Sequence, residues 1–361
     1  MNYKKYVTVF IVAMGLLVLF HFTVWNLYTK HVLLVHTDIY TGDLGRVSMY
    51  SGTSYPRQAY PSKKSVKLKK EHIDFKTYSE GNNQVDVLTI GDSFSNAAMQ
   101  GTNPFYQDYI ATVNDYNVLN IPQLSGTANY LETLLVLNNN GLLDKIHPHS
   151  IIVESVERFC IDRFALEIDT SVNQSYDNVI RKFNGHKNLY LDKDKNIKFI
   201  NNQNFKALKF NILYSFNDHA FFSKIYKVKL KKDFFTSRDK NQLLFYNEDL
   251  EHIPKATKLN IKKLNDNFNK VAEILKKKKI KLYFMPAVDK YNIYREYFKS
   301  DLYPKSIFFE QLRKLKKDYK LIDTKKILLK ELENGVKDLY YPDDTHWSYK
   351  ASEAIFSQTK F

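Results

Sequence analysis

The chain has 361 residues, 44% hydrophobic and 15% aromatic, with 54 Lys and Arg against 39 Asp and Glu for a net charge of +15. That much apolar material excludes a disordered tail, and the length suits two domains or one enlarged one. A lone cysteine, Cys160, excludes an internal disulfide, and no Cys/His cluster offers a structural zinc site.

Residues 6–28 contain no Asp, Glu, Lys or Arg. As a helix they would extend roughly 34 Å at ~1.5 Å per residue, enough to cross a bilayer. The segment ends in Phe22, Val24, Trp25, Leu27 and Tyr28 rather than in small residues at a cleavage site. It therefore predicts an uncleaved anchor, with residues 1–30 forming a cytoplasmic stub and a transmembrane helix. Lys4 and Lys5 precede it and only Lys30 and His31 follow closely, so the positive-inside rule favours a cytoplasmic N-terminus. The expectation is a single-pass protein of the plasma (inner) membrane whose main domain is extracytoplasmic, periplasmic or extracellular. The alternative is a buried helix of a soluble protein. Beyond the anchor the basic surplus is dispersed among Tyr, Phe and Asn and matches no groove-reading motif, which argues against nucleic acid and for acidic glycans or anionic headgroups.

Residues 31–80 hold Thr, Ser, Gly, Tyr and Lys without sustained periodicity and read as a stalk and entry loops. From 81 to 361 strands and helices alternate. An apolar run at 85–90 reads as a strand, followed by a helix after Ser95, a strand near 118–121, a helix over 129–137 and a strand at 151–154. A helix with the apolar stripe Ile261, Leu264, Phe268, Val271 and Leu275 ends in the lysines of 276–279, where cations meet the helix dipole favourably. Then come a strand at 281–285, a helix near 306–317, a short strand at 321–322 and a helix from Ser348. This alternation predicts an α/β domain on a parallel sheet. Residues 163–254 interrupt it as an insertion or cap rich in Asn, Lys, Phe and Tyr, and the 205–228 portion reads as helical. No internal repeat is visible.

Two stretches carry chemistry. Residues 85–94 read VDVLTIGDSF, a strand running into Gly91, Asp92 and Ser93. The carboxyl end of a strand in an open α/β sheet is where sites form, and a serine there is either a nucleophile directed into the crevice or a helix cap. Far along the chain, Asp343, Asp344, Thr345, His346 and Trp347 follow Tyr340, Tyr341 and Pro342. A serine needs an imidazole to take its proton, and the imidazole needs a carboxylate to fix its tautomer. His346 supplies the first; Asp344 or Asp343 supplies the second.

The Gly91, Asp92, Ser93, Phe94 motif resembles the first block of SGNH (GDSL-type) hydrolases, whose acid and histidine come near the C-terminus. The Asp344, Thr345, His346, Trp347 block resembles that of the SGNH-like alginate O-acetyltransferases and their relatives acting on cell-surface polysaccharides. So do residues 152–158, IVESVER, and 285–294, MPAVDKYNIY. The match covers roughly residues 85–160 and 280–357 and leaves the insertion unmatched. The resemblance implies a flavodoxin-like three-layer parallel sheet, with Ser93 as nucleophile, His346 as base and Asp344 as orienting acid. The acid spacing of ordinary SGNH hydrolases would instead select Asp343. It implies an oxyanion hole built from the N–H groups of Ser93 and Gly126. The family's Gly-x-Asn-Asp block is absent, with Glu154, Glu157 and Arg158 in its place, so the third donor is unassigned. Arg158, Lys290, Tyr294 and Trp347 are candidate substrate contacts; a structural ion pair is the alternative for Arg158, and bracing of the loop for Lys290 and Tyr294.

The activity that the resemblance implies is transfer of an acetyl group through an acyl-Ser93 to a polysaccharide hydroxyl, with no metal and no cofactor. The donor would be a multipass membrane O-acyltransferase partner. An O-acetylesterase with the same triad, and a catalytically silent glycan-binding or assembly protein on this fold, are the other readings.

Overall fold

Strands buried on both faces read as continuous apolar runs, because no side of them meets water. β2 (Val87–Ile90) and β4 (Ser150–Val156) are buried at every position. In the computed structural model, which describes residues 3–33, 41–53, 68–81, 84–98, 101–186, 198–221 and 223–361, they form the centre of a parallel sheet. Its other strands are β1 (Ile73–Asp74), β3 (Val118–Ile121), β7 (Lys281–Ala287) and β8 (Lys320–Leu321), in the lateral order β1-β3-β2-β4-β7-β8. An antiparallel ribbon, β5 (Ile225–Lys229) and β6 (Gln242–Tyr246), stands apart from it.

Two helix groups form the outer layers. Tyr130–Asn139, Glu157–Phe164 and Lys258–Lys276 pack together on one side. Tyr106–Asn114, Thr324–Glu333 and Tyr349–Gln358 pack together on the other. The stripe Ile261, Leu264, Phe268, Val271 and Leu275 is buried as its spacing predicts. Asn129 and Ser348 cap their helices with side-chain oxygens that accept from Glu132 N and Lys350 N. From β2 the chain first crosses to β3 and later to β4 on the opposite flank. The carboxyl end of β2 is thus a topological switch point, where a crevice opens in doubly wound sheets.

Three local expectations change. Residues 93–98 form turns rather than a helix, and the next helix starts only at Tyr106; Asn96 and Ala98 both donate to Ser93 O, which ties the chain into a tight loop. Among the described residues of 205–228, only those within the helix Gln203–Leu213 are α-helical, and the chain then enters β5. Of the stretch read as a stalk, residues 34–40 and 54–67 lie outside the described residues. Residues 41–53 do not behave as a stalk: the helix Asp43–Ser48 buries Leu44 against Ile225 and Leu244 of the ribbon.

At the N-terminal side Tyr3–Leu33 is one helix long and apolar enough to cross a membrane. A π-helical stretch, Trp25–Thr29, interrupts it. Residues 8–19 are exposed all round, whereas His21, Val24, Thr29 and Val32 are buried against the rest of the chain.

Candidate active site

The turn after β2 is fixed by buried polar groups. Gly91 approaches Ser95 Oγ and Glu154 Oε2 so closely that a Cβ there would collide with both. Glu154 Oε2 accepts from Asp92 N at 3.0 Å and from Ser95 Oγ at 2.8 Å. Asp92 in turn accepts from Phe94 N and Val156 N and pairs with Arg163, which also donates to Ser155 Oγ at 2.6 Å. Burial pushes the Glu154 carboxyl well above the usual range, helped by the neighbouring Asp92. For Asp92 burial acts upward too, but the Arg163 guanidinium and two backbone N–H donors prevail and hold it below its ordinary value. The two acids are therefore driven in opposite directions, Glu154 toward its protonated form and Asp92 toward the anion paired with Arg163.

Ser93 projects from this turn. Its Oγ lies 2.8 Å from His346 Nε2, and His346 Nδ1 lies 2.6 Å from Asp344 Oδ1. The same Asp344 oxygen accepts from His346 N at 3.0 Å, so ring and backbone are oriented by one buried carboxylate. The His346 ring rests on Phe94, with centroids 4.7 Å apart. Hydroxyl, imidazole and carboxylate stand in a line through which a proton can move from Oγ to Nε2 while Asp344 holds the other nitrogen.

The loop bearing Asp344 and His346 is closed at its base by a bridge between Tyr340 and Trp347. Lys290, 1% exposed, donates from Nζ to the carbonyl oxygens of Tyr341, Pro342 and Asp344 at 2.8, 2.7 and 3.1 Å. Asp343 faces away from the imidazole: its Oδ2 accepts from Gly42 N at 2.9 Å, and its carbonyl accepts from Gly45 N at 2.9 Å. The two neighbouring acids thus divide, Asp344 turning to the ring and Asp343 to the helix Asp43–Ser48.

Asp43 carries no signal in the sequence and lies among residues read as a stalk. Its Oδ1 accepts from Thr345 N at 2.8 Å and from Leu44 N at 2.7 Å. Burial and the Asp344 carboxylate push its carboxyl up to about 7, against the opposing pull of His346. Asp43, Asp344 and His346 bring ligand atoms within 4.8 Å of one another, the one such cluster among the described residues. The Asp344 oxygen and the His346 nitrogen that face each other there are hydrogen-bonded, and Asp43 Oδ1 accepts two N–H groups.

Of the four candidate substrate contacts, Lys290, Tyr294 and Trp347 are corrected to bracing residues, and Arg158 is held by acids beside a small pocket. Arg158 is buried and held by Asp289 at 2.8 Å and Asp249 at 3.2 Å, with Thr345 Oγ1 at 3.5 Å. Lys290 is the staple just described. Tyr294 is fully buried against Phe234, Phe235 and Tyr340. Trp347 is fully buried and meets Phe94 edge to face. Lys290, Tyr294 and Trp347 are enclosed by protein, whereas Arg158 lines a small pocket together with Glu157, Asp249 and Asp289.

Ser93 N–H makes no hydrogen bond to a described protein group. Gly126, at φ +92°, lies on the loop after β3, and its neighbours are Gln174 and Lys182. No family model, curated protein or solved structure matches the chain.

Proposed function

We propose that this chain is a membrane-anchored serine acyltransferase of SGNH-like, flavodoxin-like architecture, which moves an acetyl group through an ester on Ser93 Oγ to a hydroxyl of a cell-surface polysaccharide. The observation that carries the reading is the line Ser93, His346, Asp344 at 2.8 and 2.6 Å, with the imidazole and carboxylate buried and the serine partly exposed. The position of Ser93 at the sheet's switch point and the acetyltransferase-like block at 344–347 favour it as well.

In this reading His346 Nε2 takes the Ser93 proton as Oγ bonds to the donor's carbonyl carbon. The tetrahedral oxyanion is met by the unpaired Ser93 N–H and, from the loop after β3, by Gly126 N–H. Collapse breaks the bond to the leaving oxygen, which departs with the proton held by His346. An acceptor hydroxyl then gives its proton to His346, attacks the acyl carbon and frees Ser93 Oγ, which regains that proton. Asp344 stabilises the imidazolium at both stages. With the anchor setting the domain outside the cytoplasm, where acetyl-CoA is absent, the acyl group would come from a multipass membrane O-acyltransferase partner.

The test is intact-mass analysis of the full chain in detergent after exposure to p-nitrophenyl acetate. The expected result is a gain of one acetyl group that Ser93→Ala abolishes, and faster discharge on addition of an oligosaccharide acceptor. An adduct that survives in Ser93→Ala overturns the nucleophile. Discharge that ignores every acceptor tried turns the reading toward the esterase.

A further inference from the structure

His21 sits inside the apolar helix and is 4% exposed. An ionisable side chain at that position needs a polar partner, since lipid offers none. Asn204, in the helix Gln203–Leu213, supplies it: its Nδ2 lies 2.8 Å from His21 Nδ1 and also donates to Phe199 O at 2.7 Å. The next residue, Phe205, stacks on Phe20 with centroids 4.7 Å apart and edges onto His21.

Depth is set by these contacts. Counting ~20 residues for a hydrocarbon core, from Tyr6 after the paired lysines, brings the far boundary to about Trp25. His21 then lies about 6 Å inside that boundary at ~1.5 Å per residue. Asn204 must lie at the same level, and Phe205 with it. Yet Phe205 remains 51% exposed, as does Ile212 seven residues on, which shares its helix face, with Lys209 exposed between them. Nearby, Phe199, Ile200, Phe216 and Phe221 are exposed too. Elsewhere in the domain the exposed large apolar side chains among the described residues are Val113, Leu166, Leu259, Leu302 and Ile307. Beside Phe216 opens a cleft of about 220 Å³ lined by Lys227, Lys229 and Lys299, with Asp218 as its acid. An apolar ring at lipid depth, with further exposed rings and a lysine-lined cleft along the same stretch, is the composition of a contact with a membrane interface.

We propose that residues 199–221 are a second membrane contact, an interfacial helix and its flanks that put Phe205 and Ile212 into the lipid beside the spanning helix and present lysines to anionic headgroups. The proposal rests on the N-terminal helix crossing a bilayer, and is independent of acyl transfer. It would hold the domain at the membrane by two attachments instead of one swinging tether.

The full chain in nanodiscs of phosphatidylcholine and phosphatidylglycerol tests it, with a bimane fluorophore on one introduced thiol at a time and bromine atoms on the acyl chains as quencher. Cys160, fully buried, leaves labelling to the introduced thiol. Bimane at Phe205→Cys, Ile212→Cys and Phe216→Cys should be quenched at least about threefold more than at Val113→Cys, on the helix that returns to the start of β3, if these residues lie 5–10 Å deep as interfacial helices do. Phe216 stands in a turn and is 80% exposed, so its replacement leaves the fold undisturbed. Bimane at Phe10→Cys reports the spanning helix itself. Quenching at Phe10→Cys with none above the Val113→Cys level at the other three overturns the proposal and leaves this face to a protein partner. No quenching at Phe10→Cys overturns the spanning premise with it.

Discussion

The turn that carries Ser93 is held from within the sheet, whereas the loop that carries His346 is held largely from outside it. Around Ser93 the fixing groups, Glu154, Asp92, Ser155 and Arg163, come from β4, from the helix after it and from the turn itself. Around His346 they come from Lys290 beyond β7 and from the helix Asp43–Ser48, some three hundred residues away in the chain. The difference teaches where each half of the site can fail. The serine turn shares the stability of the core, while the acid–base loop depends on a distant segment, one that is itself tied by Met49 O to Asn211 of the helix packed against the N-terminal apolar helix.

The largest expected effects ignore this distinction because they remove the reacting groups. Ser93→Ala and His346→Ala should each lower acyl transfer by about three or more orders of magnitude with the fold intact, measured as turnover of an activated acetyl ester. Near-normal turnover in either variant would break the site assignment.

A sharper contrast separates the adjacent acids. Asp344→Asn should lower turnover by about three to four orders of magnitude, since an amide facing Nδ1 favours the wrong tautomer. Asp343→Asn keeps an oxygen for Gly42 N and should cost about tenfold or less. The reverse ranking would transfer the orienting role to Asp343 in spite of the geometry.

Lys290 comes next. Lys290→Met removes the donor shared by three carbonyl oxygens and should destabilise the fold by about 1–3 kcal/mol, the usual cost of buried acceptors left unmatched. Turnover should fall further than the unfolded fraction explains, because the loop would lose its register against Ser93. Thermal unfolding read alongside the rate per folded molecule checks both, and an unchanged rate per folded molecule would mean that the Asp43–Ser48 helix suffices to hold the loop.

These contrasts also mark what sequence could reveal. The sheet was legible because its strands are unbroken apolar runs and its longest helix repeats Ile261, Leu264, Phe268, Val271 and Leu275 at helical spacing. Ser93, Asp344 and His346 were legible because a short turn and a short loop carry them. Asp43 was not, since its role comes from tertiary approach to Thr345 and leaves no trace in the residues beside it. The turns at 93–98 escaped for a similar reason: small polar residues after a strand fit a helix start locally, and the hydrogen bonds onto Ser93 O decide otherwise. Lys290 and Trp347 carry reactive or aromatic groups suited to substrate, and only their burial shows that they brace the loop.

The smallest effect probes the outside support directly. The Asp43 carboxyl is raised from 3.8 to about 7 by burial and by Asp344, so between those values the folded chain retains a proton that the unfolded chain has lost. Stability rises with pH only where the unfolded state binds more protons, and here the folded state binds more. The contribution of Asp43 is therefore complete below about pH 4, falls as pH rises, and is gone above about 7. Asp43→Asn keeps an acceptor for Leu44 N and Thr345 N but cannot ionise. Its unfolding temperature relative to the parent chain should accordingly improve from pH 5 to pH 8, by about 2–4 °C if roughly 1 kcal/mol is at stake in a domain of this size. The parent's pH–rate profile should also lose an inflection near 7 in the variant, because a new negative charge beside His346 would no longer appear. A difference in unfolding temperature that is flat with pH would mean that Asp43 is already ionised at pH 5, and that the acid–base loop is held by hydrogen bonds to a carboxylate rather than to a neutral acid.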